Sequence, residues 1–305
     1  MSLKRNVLAN YFGQAYAAVM ALAFVPLYIK YLGVEAYGLI GIFVVLQAWL
    51  SLLDMGMKPA LAREMARFTG GGLDAQSVWD LLRSVEVLAL GIAALTGVGM
   101  YVASGWLATS WVRPEQLSET AVVQAFVLMG LVVAARFVEN IYTNSIAGLQ
   151  RQVLQNAVTV VMATLRGLGS VAVLVWVSPT IEAFFIWQGI ISVVTAFIFM
   201  GVVYKILPNP PRAARFSLTE IRNIWKFAAG MMGITFLALL LTQIDKILLS
   251  RLLTLEAFGY YSLAAVVAGG LHIMTMPVAT AFFPRFTELI TLRDEVILKE
   301  AYHLG

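Results

Sequence analysis

Arg136 and Arg166 each sit inside a long apolar stretch built from Val, Leu, Ala and Met. A guanidinium keeps its charge and offers five donors in a planar fork, which suits a carboxylate or a phosphate. Placing it at membrane depth costs roughly 2.5–3.5 kcal/mol on insertion scales, so each arginine needs a structural or a functional partner. At helical spacing Arg136, Glu139, Asn140 and Thr143 share one face, and Gln152, Asn156, Thr159, Ala163, Arg166, Gly167 and Ser170 share another. Lipid cannot satisfy such stripes, so they must face a neighbouring helix or a water-filled cavity. Glu139 lies one turn from Arg136, which predicts an ion pair within that helix. Arg166 has no acid within a turn, so the sharper functional expectation rests on Arg166.

Other stretches repeat the pattern more faintly. Gln47, Ser51, Asp54 and Lys58 share a face; so do Asn10 and Gln14; Thr235, Ala238, Thr242 and Lys246; and Gln188, Ser192 and Thr195. Asp54 can reach Lys58 as a structural anchor, the alternative being a gating or ion-coupling carboxylate. Asp245 and Lys246 are adjacent, hence about 100° apart around a helix, and are expected to point in different directions. His272, in mid-span, reads as a hydrogen-bonded neutral imidazole rather than a proton relay. The candidates for a cavity that binds cargo are therefore Arg166, Arg136, Lys246, Asn156, Thr159 and Gln14. The candidates for coupling or gating are Asp54, Glu139 and Asp245.

The elements that must position these groups are set by composition. With 60% hydrophobic and 12% charged residues and a mean hydropathy of +0.84, the chain reads as an all-α polytopic membrane protein. The absence of cysteine excludes disulfides, thiolate metal sites and cysteine nucleophiles, and no cofactor or metal site is expected. Lys4 and Arg5 precede an apolar run too long for a signal-peptide core, which reads as the first span. Segments long enough to cross a bilayer run over about 8–30, 37–57, 81–105, 120–143, 156–177, 182–204, 227–250 and 257–283. With a cytoplasmic N-terminus, fifteen Lys and Arg fall on inside segments and only Lys30, Arg113 and Arg251 outside. The remaining three of the 21 are Arg136, Arg166 and Lys246, at membrane depth. The +4 net charge is thus a topology signal, and no nucleic-acid partner is implied. Gly70, Gly71 and Gly72 form a turn without the Lys-Ser/Thr of a phosphate loop.

Pro208, Pro210 and Pro211 break the chain after the sixth span, and Ser217 with Glu220 predicts a capped short helix before the seventh. This divides the chain into a six-helix bundle over 1–207, a cytoplasmic linker and short helix over 208–226, and the start of a second bundle over 227–305. The stretch Leu27–Gly38 is echoed by Leu248–Gly259 at a constant offset of 221 residues, with Lys30 matching Arg251, Glu35-Ala36 matching Glu256-Ala257, and Gly38 matching Gly259. Six spans lie within that offset, so the copies face the same way, as in a parallel repeat of two helical bundles. On that repeat the second bundle stops after about two spans, and its completion would take roughly another 140 residues.

The Leu-Gly-Val-Glu-Ala-Tyr-Gly turn at 32–38, the Leu-Leu-Asp-Met-Gly-Met run at 52–57 followed by Ala62-Arg63-Glu64, the Ala-Gly-Leu-Gln-Arg stretch at 147–151, and Gln-Ile-Asp-Lys at 243–246 resemble the polysaccharide-biosynthesis flippases. These belong to the multidrug/oligosaccharidyl-lipid/polysaccharide exporter superfamily. The resemblance covers essentially the whole chain. It implies two six-helix bundles in a V around a central cavity, in the bacterial inner membrane. The implied cargo is an undecaprenyl-diphosphate-linked sugar repeat unit for surface polysaccharides such as O-antigen and lipopolysaccharide, with membrane lipid and a polysaccharide polymerase among the partners.

An ion-coupled exporter of organic cations from the same superfamily is the nearest competing reading, and it would want an acidic cavity. A membrane glycosyltransferase or ligase would need paired carboxylates or an Arg/His site on a sizeable outside loop. The longest such loop, Trp106–Ser118, offers only Arg113 and Glu115 as charged groups, so the chain is not expected to be an enzyme.

Overall fold

The computed structural model describes residues 3–269, with Leu3–Asn10, Gln14 and Ala18 described by their backbone only. His272 and the end of the eighth expected span therefore lie outside the described residues. Those described form nine helices: α1 (Leu3–Leu32), α2 (Val34–Leu50), α3 (Met57–Thr69), α4 (Ala75–Trp106), α5 (Glu119–Gly148), α6 (Gln152–Trp176), α7 (Ile181–Ile206), α8 (Leu218–Leu252) and α9 (Leu255–Gly269). Among them, seven stretches are long and apolar enough to cross a membrane. The chain is a multi-pass all-helical membrane protein.

Helix starts follow local chemistry. The side chains of Asp74, Ser118, Thr180 and Ser217 accept from the backbone N–H three residues on, at the starts of α4, α5, α7 and α8. Ser217 thus caps as its sequence predicts, but the helix it opens is not short. It runs without a break for 35 residues through the seventh span, because no Pro interrupts it and Gly230 and Gly233 do not break it.

The second span differs from expectation in the other direction. It ends at Leu50 and tightens into a 3-10 turn over Ser51–Asp54, and the chain then reverses through Met55 (φ 50°) and Gly56 (φ 75°). Gly56 cannot be replaced cheaply, since a Cβ there would run into the Ala228 carbonyl. The next segment, which falls between two expected spans, is the amphipathic helix α3, which buries Met57, Ala60, Leu61 and Met65 and leaves Arg67 half exposed.

Two apolar cores stack along the bundle. One, at the end where Gly33 joins α1 to α2, gathers Leu39, Phe43, Phe126, Met129 and Phe185 with Leu255 and Phe258 of α9. The other, at the end where Lys58 begins α3, gathers Leu61, Met65, Leu82, Ile141, Ile146 and Phe199 with Ile224 and Ala228 of α8. Between them α5 carries Arg136, flanked by Val133 of the first core and Phe137 of the second.

At the Gly33 end α2 and α9 touch through glycine. A Cβ on Gly38 would meet the Leu255 carbonyl, and one on Gly259 the Val34 carbonyl. Val34 and Leu255, like Gly38 and Gly259, are 221 residues apart, so the contact is reciprocal. The buried carboxylate of Glu35 fastens the neighbouring connection by accepting from the N–H groups of Glu115, Gln116 and Leu117 at 2.6, 2.8 and 3.2 Å.

Candidate functional site: a cation-lined cavity

Helices α1, α2, α5, α6, α7, α8 and α9 enclose a cavity of about 500 Å³. Its walls are mostly apolar and aromatic, with Phe24, Tyr28, Phe43 and Phe184 prominent, and its charged groups are Arg136, Arg166 and Lys246. Among the described residues, no carboxylate lines it. A second cavity of about 350 Å³ adjoins it toward the Lys58 end, and Val44 and Arg136 border both.

Arg136 is held by amides. Its guanidinium donates to Gln47 Oε1 from α2 and to Gln188 Oε1 from α7, the latter at 3.0 Å, and its Cζ lies 5.1 Å from the centroid of Phe43. Gln188 is buried and in turn donates to Ser170 Oγ at 3.0 Å, and Ser170 donates to the Arg166 carbonyl at 2.7 Å. One polar chain thus ties α2, α5, α7 and α6 together at mid-bundle. Two of the five guanidinium donors are engaged, and buried Nε has no protein acceptor among the described residues.

Arg166 has the carboxylate that spacing assigns to Arg136. Its Nη2 lies 3.3 Å from Glu139 Oε2 and 3.3 Å from Ser192 Oγ. The intrahelical pair expected within α5 is therefore replaced by a cross-helix pair, α5 to α6. Spacing of three residues puts Glu139 near Arg136, but the amides of α2 and α7 take the Arg136 fork and leave Glu139 to α6. Among the described residues no carboxylate lies within ion-pair distance of Arg136.

Lys246 and Asp245 also depart from expectation. Lys246 Nζ donates to the Thr242 carbonyl at 2.7 Å and sits 3.8 Å from Asp245 Oδ1, so the adjacent side chains do converge. The long Lys stem makes this possible despite the separation of about 100° around the helix. Asp245 also accepts from Tyr261, bracing α8 to α9. Asp54 pairs with Lys58 at 3.2 Å and caps the Gly56 N–H at 2.8 Å. Their meeting depends on the Met55–Gly56 reversal, and not on a shared helix face.

Of the predicted cavity residues, the structure brings together Arg136, Arg166 and Lys246. It does not bring Asn156 or Thr159 to either cavity. Asn156 faces α1, where its side chain occupies the space left by Gly13, and donates to the Gln152 carbonyl at 2.8 Å. The Gln14 side chain lies outside what is described. Tyr28, Phe43 and Phe184 are cavity residues that the sequence does not single out, since aromatic residues on apolar helices carry no such signal. Gln47 and Gln188 are visible there as polar interruptions, though not as the holders of Arg136.

The sequence matches the polysaccharide biosynthesis protein family over residues 3–290. No curated protein matches the chain. Several solved structures share its fold at low identity. One described only as protein A has a TM-score of 0.73 at 12% identity, covering 99% of this chain and 68% of its own. The MATE multidrug transporter DinF-BH, solved as a complex, has 0.68 at 12%, covering 92% and 63%. A MOP superfamily transporter from Pyrococcus furiosus, described as having a binding pocket of reverse polarity, has 0.53 at 12%, covering 99% and 74%. The chain thus spans about two thirds of the length of these proteins. With its all-helical fold and near-complete match, it belongs to the polysaccharide biosynthesis protein family and has the fold of the MOP superfamily transporters.

Proposed function

We propose that this protein is a flippase for undecaprenyl-diphosphate-linked oligosaccharide repeat units, working by alternating access across the bacterial inner membrane in surface polysaccharide biosynthesis. The observation that carries the reading is the cavity lining: Arg136, Arg166 and Lys246 are there, and among the described residues no carboxylate is. A diphosphate is a multiply charged acceptor whose oxygens a guanidinium binds in bidentate fashion. In a low-dielectric cavity that attraction is far stronger than in water. The apolar and aromatic walls suit sugar faces and the first isoprene units, while the polyprenyl tail stays in lipid. The basic residues clustered toward the Lys58 end support a cytoplasmic location for that end under the positive-inside rule.

An organic-cation exporter would need the reverse lining, since a cation entering this cavity would meet Arg136 with no carboxylate in the lining, among the described residues, to offset it. Proteoliposomes containing the purified chain test the choice. Translocation of a fluorescent undecaprenyl-diphosphate-linked sugar, lost in Arg136→Gln, is the expected result. Transport of a quaternary organic cation instead, with no movement of the lipid-linked sugar, would overturn it.

A further inference from the structure

The smaller cavity is not absorbed by the function above. It lies between α2, α3 and α5, and its polar lining residues are Gln47, Ser51, Lys58, Asn140 and Arg136. It has the same construction as the larger one. Lys58, whose Nζ lies 4.7 Å from the Phe137 ring centroid, is paired with Asp54, and that carboxylate stands behind the lining and not in it. Asp54 has a second donor in the Gly56 N–H, so it stays satisfied if Lys58 swings toward a ligand. Ser51 and Asn140 add a hydroxyl and an amide beside Lys58 and Arg136, on a wall otherwise formed by Val44, Ala48, Val133 and Phe137, so the two cations and these polar groups are what a phosphate would meet there.

On the reading that the cargo is a lipid diphosphate, we propose that this cavity is a second anion station, which holds the diphosphate between Lys58 and Arg136 before or after it occupies the larger cavity. Arg136 is the shared contact. Arg136 borders both cavities, so an anion passing from one station to the other would keep the same arginine beside it. This geometry divides the translocation path into two steps, with Lys58 serving one and Arg166 and Lys246 serving the other.

Calorimetric titration of the full chain in nanodiscs with inorganic diphosphate, and separately with farnesyl diphosphate, tests this. Two diphosphates should bind, the second about tenfold more weakly because both draw on Arg136. Lys58→Gln should remove one event and spare the other. Ala48→Leu, which narrows the smaller cavity while leaving the Asp54–Lys58 pair intact, should do the same. Arg166→Gln should weaken only the remaining event. A single event that ignores Lys58→Gln and Ala48→Leu but falls with Arg166→Gln would overturn the second station and leave the flippase reading standing. Two events with inorganic diphosphate but one with farnesyl diphosphate would assign the station to free phosphate and overturn its place on the cargo path. No binding of either compound would overturn both the station and the anionic cargo.

Discussion

The two cavities that meet at Arg136 differ in size, but the more instructive difference is between the cations that belong to one cavity and the arginine that both share. Arg166, Lys246 and Lys58 each lean on a carboxylate, Glu139, Asp245 and Asp54, that is withdrawn from the lining. Arg136, between the cavities, is held by two glutamine oxygens. A carboxylate fixes a guanidinium and cancels most of its charge, whereas an amide fixes it and leaves the charge intact. Breaking a buried ion pair by removing one member costs about 3–5 kcal/mol, so Arg166, held by the largely buried Glu139, responds reluctantly to an incoming anion. Lys246 beside half-exposed Asp245 and Lys58 beside the separately capped Asp54 are held less firmly. The amide-held arginine is available without that cost. The structure thus separates a standing anion contact from contacts that must first be released.

The sharpest way to break this comparison is Arg136→Gln. It removes up to two charge-assisted hydrogen bonds to a diphosphate, each worth about 1.5–3 kcal/mol, so binding should weaken about 100-fold or more. Gly38→Val attacks the larger cavity from its Gly33 end by forcing a side chain against the Leu255 carbonyl. It should lower thermal stability by about 1–3 kcal/mol, read by unfolding in detergent, and impair cavity closure there more than binding in the smaller cavity. Glu139→Gln converts Arg166 from a carboxylate-held to an amide-held cation. Diphosphate binding should tighten about threefold to tenfold while release slows; weaker binding would show that Glu139 positions Arg166 rather than restraining it. Ser217→Ala lies remote from both cavities and removes the N-cap of α8, at a cost of about 0.5–1 kcal/mol in stability with unchanged diphosphate affinity.

Much of this molecule is legible in its residues, and the failures share a cause. The long apolar helices, the proline break after α7 and the cap at Ser217 are local signals, and hydrophobic burial and capping act on each one separately. Helix α3 escapes a hydropathy reading because Lys58, Arg63, Glu64 and Arg67 depress its average, although Met57, Ala60, Leu61 and Met65 repeat at helical spacing. Glu139 goes to Arg166 instead of Arg136 because spacing along one helix measures proximity, not competition. Gln188 from α7 and Gln47 from α2 displace Glu139 at Arg136, and only the packing of three helices decides that. Asn156 turns toward Gly13 of α1 for the same reason.

The most direct test measures diphosphate affinity side by side in Arg136→Gln and Arg166→Gln, in the same nanodisc preparation and at the same ionic strength. The account predicts that the Arg136 variant loses at least about tenfold more affinity than the Arg166 variant, because Arg136, unlike Arg166, presents its charge without a carboxylate at ion-pair distance. An equal loss, or a larger one at Arg166, would contradict it.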